Sequence, residues 1–337
     1  MMKTITIDGG HLTIDDVCAV AYGKSAVSFP EDAAFFETLR RSRKFLEDYI
    51  AKGFPTYGVT TGFGDSCGNQ INPSRAAELQ KSIVRFHGIG LGKKFSHEEG
   101  RAVVLCRLNS DVKGGHSAIR VALAEMLKTL LDKDIVPVIP ELGSVGASGD
   151  LTPLSYVAAV VMGEREVYYK GKIVPAIDAL KAEGIAPLPL AAKEGLAIMN
   201  GTSVMTAVAS LSWKRARRLA NICDFVTAAT AEIVRGNEVP FRKKVSEMKN
   251  HAGQIESAGY IYDIVKNSKR VYRYEDLLER IGSIGDAQFE KRFVKIQDRY
   301  SIRCAPQING VLRDTLRIAG QWIEEELNSA NDNPLVN

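Results

Sequence analysis

The sequence predicts a mainly α-helical protein, with a loop-rich N-terminal domain over residues 1–200 and a long-helix bundle domain beginning at residue 201. Three observations carry this reading. Residues 203–235 form an Ala-rich run longer than most globular helices, the length of a bundle element. Residues 31–52 and 310–327 space their apolar side chains for one buried face. Strand patterns are confined to short segments near residues 3–7 and 167–174.

Residues 3–7 alternate as a short strand that Asp8-Gly9-Gly10 ends. Thr13, followed by Asp15 and Asp16, marks a helix start. Residues 23–30 read as a break. Glu31 and Asp32 open a helix to about Lys52 that buries Phe35, Leu39, Leu46 and Ile50. A loop rich in Gly, Thr and Asn covers 53–72, and Pro73 introduces a helix to about Phe86. Further helices are expected from Ser96 to about Leu108 and from Ser117 to about Lys133. Asp150 and Thr152 are N-cap candidates for an apolar helix over 154–162, with Pro153 in its first turn. Residues 167–174 read as a hairpin turning at Lys170-Gly171. Helix returns at Asp178 and at 191–199, and Asn200-Gly201-Thr202 interrupts it before the long run. Residues 237–273 read as a polar stretch, followed by helix at 274–281. A last helix over 310–327 turns Leu312, Leu316, Ala319 and Ile323 to one side.

Composition narrows the function classes. A net charge of +4, from 44 basic and 40 acidic residues, is too small an excess to argue for nucleic acid. The cluster Lys214, Arg215, Arg217 and Arg218 reads as a solvated helix face. Five scattered cysteines without Cys-x-x-Cys fit a reduced, cytoplasmic protein and argue against a disulfide framework or a zinc site. No signal-peptide pattern opens the chain, and no run of about 18 apolar residues predicts a membrane span. No metal is implied.

The most informative segment is Gly143-Ser-Val-Gly-Ala-Ser-Gly-Asp150. A nucleophile elbow needs Gly-x-Ser-x-Gly, and here the second Gly comes one place early. No Gly-Lys-Ser/Thr follows, so a phosphate loop fails, and Gly88-Ile89-Gly90 lacks the third Gly of a dinucleotide fingerprint. Ala147-Ser148-Gly149 has a different capacity. The Gly149 amide nitrogen can attack the Ala147 carbonyl carbon, helped by the conformational freedom of a residue without Cβ. Loss of two waters, one taking the Ser148 hydroxyl, leaves a 4-methylidene-imidazol-5-one ring (MIO) bearing an electrophilic C=CH2.

This run resembles the signature of the MIO-dependent aromatic amino-acid ammonia-lyases and aminomutases. Four further segments resemble that family in order along the chain: Tyr57-Gly-Val-Thr-Thr-Gly-Phe-Gly64, Asn200-Gly201-Thr202, Gln297-Asp-Arg-Tyr-Ser-Ile-Arg-Cys-Ala-Pro-Gln307, and Asn331-Asp-Asn-Pro-Leu-Val336. The resemblance implies that Ala147, Ser148 and Gly149 are the cofactor precursor and that Tyr57 is the base for the Cβ proton. It implies that Arg303 grips the substrate carboxylate through its planar fork, and that Asn200, Tyr300 and Gln307 hold the ring or the amine. Phe86 and His87 fall where the substrate's ring is sensed, Phe86 pointing to a benzenoid ring and His87 to a polar one. Thr152-Pro-Leu-Ser-Tyr156 resembles the phenylalanine and tyrosine side of the family more than the histidine side.

The activity so implied is elimination of ammonia from an aromatic L-amino acid, tyrosine or phenylalanine rather than histidine, giving an α,β-unsaturated aryl acid. The alternatives are a histidine ammonia-lyase giving urocanate, a 2,3-aminomutase, or a non-catalytic helical scaffold. Members of the family are usually homotetramers whose sites draw on several chains, and they are longer than this sequence. Intact mass separates enzyme from scaffold: a chain lighter by two waters is expected, and the full unmodified mass would favour the scaffold.

Overall fold

A computed structural model describes residues 3–146, 148–273, 275, 276, 279 and 297–336. Ala147 and most of the helix expected at 274–281 lie outside the described residues. The chain divides into two compact units, Met1–Ser212 with Trp322–Asn337, and Trp213–Gln321.

In the first unit, β1 (Lys3–Thr6) and β2 (Ser25–Ser28) pair in parallel, Lys3 opposite Ser25 and Thr6 opposite Ser28. α1 (Ile14–Ala21) links them and starts on a capping box between Thr13 and Asp16. The break expected over 23–30 thus contains a strand. Four residues are too few to show a period, and β1 supplies the pairing. α2 (Ala33–Ala51) is capped by Asp32, whose carboxylate accepts from Ala34 N at 2.8 Å, and it buries Leu39 and Leu46. α3 (Ala76–His87) follows a short 3-10 turn, Pro73–Arg75.

α4 (His97–Val112) is the axis of this unit, with every residue from Gly100 to Val112 buried. A helix buried all round must satisfy its polar side chains internally. Asn109 does so by donating to Leu327 O at 2.8 Å and accepting from Gly9 N at 3.0 Å. Arg101 donates to Val20 O and Leu131 O, both at 3.0 Å. α5 (Val121–Asp132) begins later than the sequence suggests, because Ser117 is engaged elsewhere, its hydroxyl donating to Asp332 Oδ1 at 2.9 Å.

β3 (Leu91–Lys94) is antiparallel to β5 (Pro140–Leu142), while β4 (Val136–Pro137), β6 (Glu166–Tyr169) and β7 (Lys172–Pro175) form a second antiparallel sheet. The hairpin turns where expected, with positive φ at both Lys170 and Gly171. α6 (Leu151–Val161), α7 (Ala176–Ala182) and α8 (Glu194–Met199) complete this part of the chain.

α9 (Ser203–Ile233) is the long helix. The stretch Glu194–Ile233 contains an 18-residue window with mean hydropathy 1.2, long and apolar enough to cross a membrane, yet 72% of that window is buried inside the protein, as in a core helix. The second unit adds α10 (Lys243–Glu247), α11 (Ala252–Val265) and α12 (Tyr300–Arg303) to the greater part of α9 and of α13 (Ala305–Leu327). Two helices therefore occupy what reads as a polar stretch. The buried face of α11 is Gly253, Gln254, Ser257, Ala258, Ile261 and Val265, small and polar residues that disguise its period. Ala228, Ala231, Phe241, Ile261, Val265, Val271, Ile302 and Ala305 form the apolar core.

The face of α13 differs from the expected one. Arg313 and Leu316 are buried, whereas Leu312 is 38% exposed. The cause is electrostatic. Asp224 on α9 is fully buried, and Arg313 donates to its Oδ2 from Nε at 3.1 Å and Nη2 at 2.7 Å. Ser257 and Asn309 donate to the other oxygen at 2.6 and 2.7 Å. Arg313 also reaches Glu256 at 2.7 Å and Asn221 at 2.8 Å, so Asp224→Ala leaves it partly paired and is expected to destabilise the protein by about 3 kcal/mol, the low end for a broken buried pair. The urea midpoint is the measurement, and an unchanged midpoint would contradict this pairing.

Candidate active site

The loop after β5 leads through Ser148 and Gly149 into α6. Ser148 and Gly149 both have positive φ, +59° and +73°. An added Cβ on Gly149 would lie 2.4 Å from the Gly201 carbonyl oxygen, so only glycine can approach there. The tip is exposed and the root is held: Asp150 is buried, and its N–H donates to Gly201 O at 2.7 Å.

Asp150 corrects the sequence reading. It occupies the N-cap position of α6, but its side chain serves α9. Asp150 Oδ2 accepts from Val204 N at 3.0 Å and Met205 N at 2.9 Å, and Ser144 Oγ donates to Oδ1 at 2.7 Å. A carboxylate suits a helix N-terminus, where unpaired N–H groups carry partial positive charge. Thr152, the other N-cap candidate, lies inside α6. Asn200, between α8 and α9, is buried and donates from Nδ2 to Asn333 O at 3.2 Å. Asn200-Gly201 and Ser148-Gly149 are thus brought together. These residues fit the ring-forming role: a backbone in the left-handed region at Ser148 and Gly149 is pressed against a peptide without side chain.

Tyr57 lies in a loop whose own threonines brace it. Thr60 Oγ1 accepts from Thr56 N at 2.7 Å, and Thr61 Oγ1 accepts from Gly58 N at 3.1 Å. The Tyr57 hydroxyl oxygen accepts from Gly64 N at 3.1 Å. Gln80, missed in the sequence reading, joins three parts of this region. From α3 its amide donates to Gly58 O at 3.0 Å, and its Oε1 accepts from Leu196 N on α8 at 3.2 Å. Gln80 is fully buried at the spacing of Ala76, Ile83 and Val84, so a polar residue in an apolar stripe was the available signal.

Phe86 and His87 end α3. Phe86 is largely exposed, and its ring meets the His87 ring edge-on at 5.0 Å. His87 Nδ1 lies 2.9 Å from Ile83 O. A carbonyl only accepts, so Nδ1–H of His87 donates to it.

The second unit carries Tyr300, Arg303 and Gln307. The Arg303 guanidinium lies 4.3 Å from the centre of the Tyr300 ring, and Tyr300 is largely exposed. Gln307 Oε1 is buried without a hydrogen-bond partner among the described residues. Such an acceptor costs stability unless something binds it. Among the described residues no cluster of three His, Cys, Asp or Glu side chains could hold a metal ion.

Beneath Gly201 lies a buried ionic group. Arg107 pairs with Asp111 at 2.7 Å, both inaccessible, and Arg107 Nη1 donates to Asn331 Oδ1 at 3.1 Å. Lys193 Nζ pairs with Asp332 and donates to Ser117 O at 2.7 Å. Burial pushes the Asp111 carboxyl up to about 7, against the opposing pull of Arg107, and burial lowers Lys193 against the pull of Asp332.

An aromatic amino acid lyase family model matches residues 12–337. The chain is 40% identical over 334 residues to the MIO-dependent tyrosine 2,3-aminomutase of Streptomyces globisporus, covering 98% of this chain and 61% of that protein. It is 36% identical over 336 residues to the histidine ammonia-lyase of Streptococcus pyogenes serotype M1, covering 100% of this chain and 62% of that protein. It is similar to the crystal structure of the tyrosine aminomutase from Streptomyces globisporus, with TM-score 0.90 and 38% identity over 99% of this chain and 63% of that one. The phenylalanine aminomutase of Pantoea agglomerans gives TM-score 0.89 and 32% identity over 99% and 64%. The chain thus spans about three-fifths of the length of these curated relatives.

Asp111 generates a pH prediction. Its folded value of about 7 exceeds the ordinary 3.8, so the native state keeps a proton that the unfolded chain releases. Its contribution to stability is therefore greatest below 3.8 and is lost as pH rises through about 7. Asp111→Asn should flatten that part of the stability profile, measured by denaturation midpoints across this range; an unchanged slope would contradict the assignment.

Proposed function

Because the chain belongs to the aromatic amino acid lyase family, we propose that it removes ammonia from an aromatic L-amino acid, tyrosine in the first place, as part of a homotetramer. The observation that carries this is the seating of Gly149 against Gly201, which leaves Ala147-Ser148-Gly149 as the precursor of an MIO group. That group would supply an electrophilic methylidene, which draws electrons from the substrate and makes its nitrogen a better leaving group.

In the proposed homotetramer the remaining roles fall to side chains contributed by different copies of this chain. Tyr57, as the phenolate, accepts the Cβ proton and becomes the phenol, and the Gly64 N–H donated to its oxygen holds it in place. Arg303 binds the substrate carboxylate through two parallel N–H donors, and the Tyr300 ring beneath it fixes the plane of that fork. The unpartnered Gln307 oxygen accepts from the substrate ammonium. Asn200, anchored through Asn333, offers amide dipole to developing negative charge.

Tyrosine is favoured over phenylalanine by His87. Its Nε2 can hydrogen-bond a phenol hydroxyl, which both donates and accepts. Phenylalanine has none, so the two substrates differ by one hydrogen bond. A second reading, a 2,3-aminomutase acting on tyrosine, is favoured by the aminomutase among the relatives; it needs the same groups and re-adds ammonia at Cβ. The exposed face of α9, with Leu219, Ile222, Phe225 and Val226, supports burial of this helix between chains. The five cysteines, none of them in a disulfide, support a cytoplasmic location.

The test is an absorbance assay of the full-length protein with tyrosine, phenylalanine and histidine in parallel, coupled to product analysis. Formation of the hydroxyaryl acrylate from tyrosine is expected, and a β-amino acid among the products would identify the mutase. Tyr57→Phe should lower kcat by about 10²–10⁴-fold, the range for loss of a general base. His87→Phe should move the preference from tyrosine toward phenylalanine. Inertness toward all three amino acids would overturn the lyase reading.

A further inference from the structure

The ionic group under Gly201 is larger than a helix axis needs. Arg107 and Asp111 on α4 are both fully buried, and Asp111 Oδ2 has no hydrogen-bond partner among the described residues. A buried ion pair with an orphaned oxygen is no more stabilising than apolar residues of the same volume. What Arg107 does have is a place against the loop-bearing backbone. An added Cβ on Gly201 would lie 1.8 Å from Arg107 Nη1 and 2.5 Å from Asn331 Oδ1, so the guanidinium occupies the space a side chain would fill. On its other side, the Gly201 carbonyl oxygen receives the Asp150 N–H and abuts Gly149. Guanidinium, Gly201 peptide and Gly149 backbone are therefore in direct succession. Asp111 fixes the guanidinium from one side, with Nε donating to Oδ1 at 2.9 Å, and Ser110 Oγ accepts from Nη2 at 3.1 Å.

We propose that Arg107 and Asp111 are positioning residues for ring formation: the pair sets the seat of Gly201, and Gly201 holds the Gly149 backbone that supplies the attacking nitrogen. This rests on the reading of Ala147-Ser148-Gly149 as a self-cyclising segment. In that step the Gly149 nitrogen bonds to the Ala147 carbonyl carbon. The carbonyl oxygen leaves as water with the Gly149 and Ser148 amide protons, and the Ser148 hydroxyl leaves as a second water with its Cα proton. No oxidant or added reagent is needed. The pair touches none of the reacting atoms and works through the one peptide between them. Lys193, at φ +75° just before α8, pairs with Asp332 and steadies the other end of the helix that leads into Asn200-Gly201.

The experiment compares the full-length protein with Asp111→Asn, Arg107→Lys and Arg101→Lys. Arg101 is the control: it is also buried on α4 and ion-paired, to Asp134 at 2.6 Å, but its partners are Val20, Leu131 and Asp134 rather than the loop. Arg107→Lys keeps the charge and loses only the planar fork, so it remains informative where Asp111→Asn does not fold. Intact mass reads the fraction of chains lacking two waters, and kinetics separate kcat from KM. Arg107→Lys and Asp111→Asn should leave chains at the unmodified mass, with kcat down by as much as about 10²-fold and KM within about twofold. Arg101→Lys should cyclise completely even if its melting temperature falls equally. Complete cyclisation with unchanged kcat in both pair variants, or an equal deficit in the control, would overturn the proposal. A cyclised wild type inert to all three amino acids would overturn the proposed reaction and leave this inference standing. A wild type at its full mass would remove the premise of both.

Discussion

The peptide of Gly201 bears on everything else in the first unit. Above it, Asp150 N–H reaches its carbonyl oxygen at 2.7 Å and Gly149 stands where no side chain fits. Below it, a guanidinium takes the place of a Cβ. The same Asp150 holds the first amides of α9. A strained loop, the head of a long helix and a buried ion pair therefore share one anchor. A loop that must keep positive φ at two successive residues needs such over-determination, because each unfavourable torsion persists only where its surroundings compel it.

The rest of the unit serves that anchor. α4 is buried on all sides and carries Arg101, Arg107, Asn109, Ser110 and Asp111 within its core-facing turns. Each asks for a partner, and several find it in the returning segment: Asn109 at Leu327, Ser110 at Ser329, Arg107 at Asn331. Buried hydrogen bonds of this kind add modest net stability but penalise every wrong arrangement, since a misplaced segment leaves charges unsatisfied. Gln80 plays a similar part between the Tyr57 loop, α3 and α8.

Much of this was legible in the sequence, and the reasons differ by element. Helices with a clear cap read correctly: Thr13, Asp32 and Ser96 each sit at the N-cap of the helix they announce. The hairpin at Lys170-Gly171 read correctly because its turn chemistry is local. α11 was hidden because its buried face is made of Gly, Ser, Gln and Ala. The face of α13 was misjudged because a hydropathy pattern cannot foresee that Arg313 turns inward to meet Asp224. For the site, the motif residues stand out by type, yet the side chains that hold them do not. Asp150 looked like a local cap and acts on a helix that begins fifty residues on, and Gln80, Arg107 and Asp111 look like ordinary helix residues. Support of this sort depends on tertiary neighbours, which a single chain's letters do not reveal.

The return of Trp322–Asn337 to the first unit has a kinetic consequence. Asn328 exchanges hydrogen bonds with Leu12 at 2.8 Å in both directions, and Glu324 accepts from Ile14 N at 3.1 Å. Emerging from the ribosome at about 5–20 residues per second, the amino-terminal unit must wait for the whole intervening insert to be made before these bonds can close. The insert, with its own apolar core, meets no such delay. Closing so large a loop costs entropy that grows only slowly with its length. The lag is therefore mainly one of synthesis time, during which the polar core of α4 lacks its last partners and is open to chaperones and proteases.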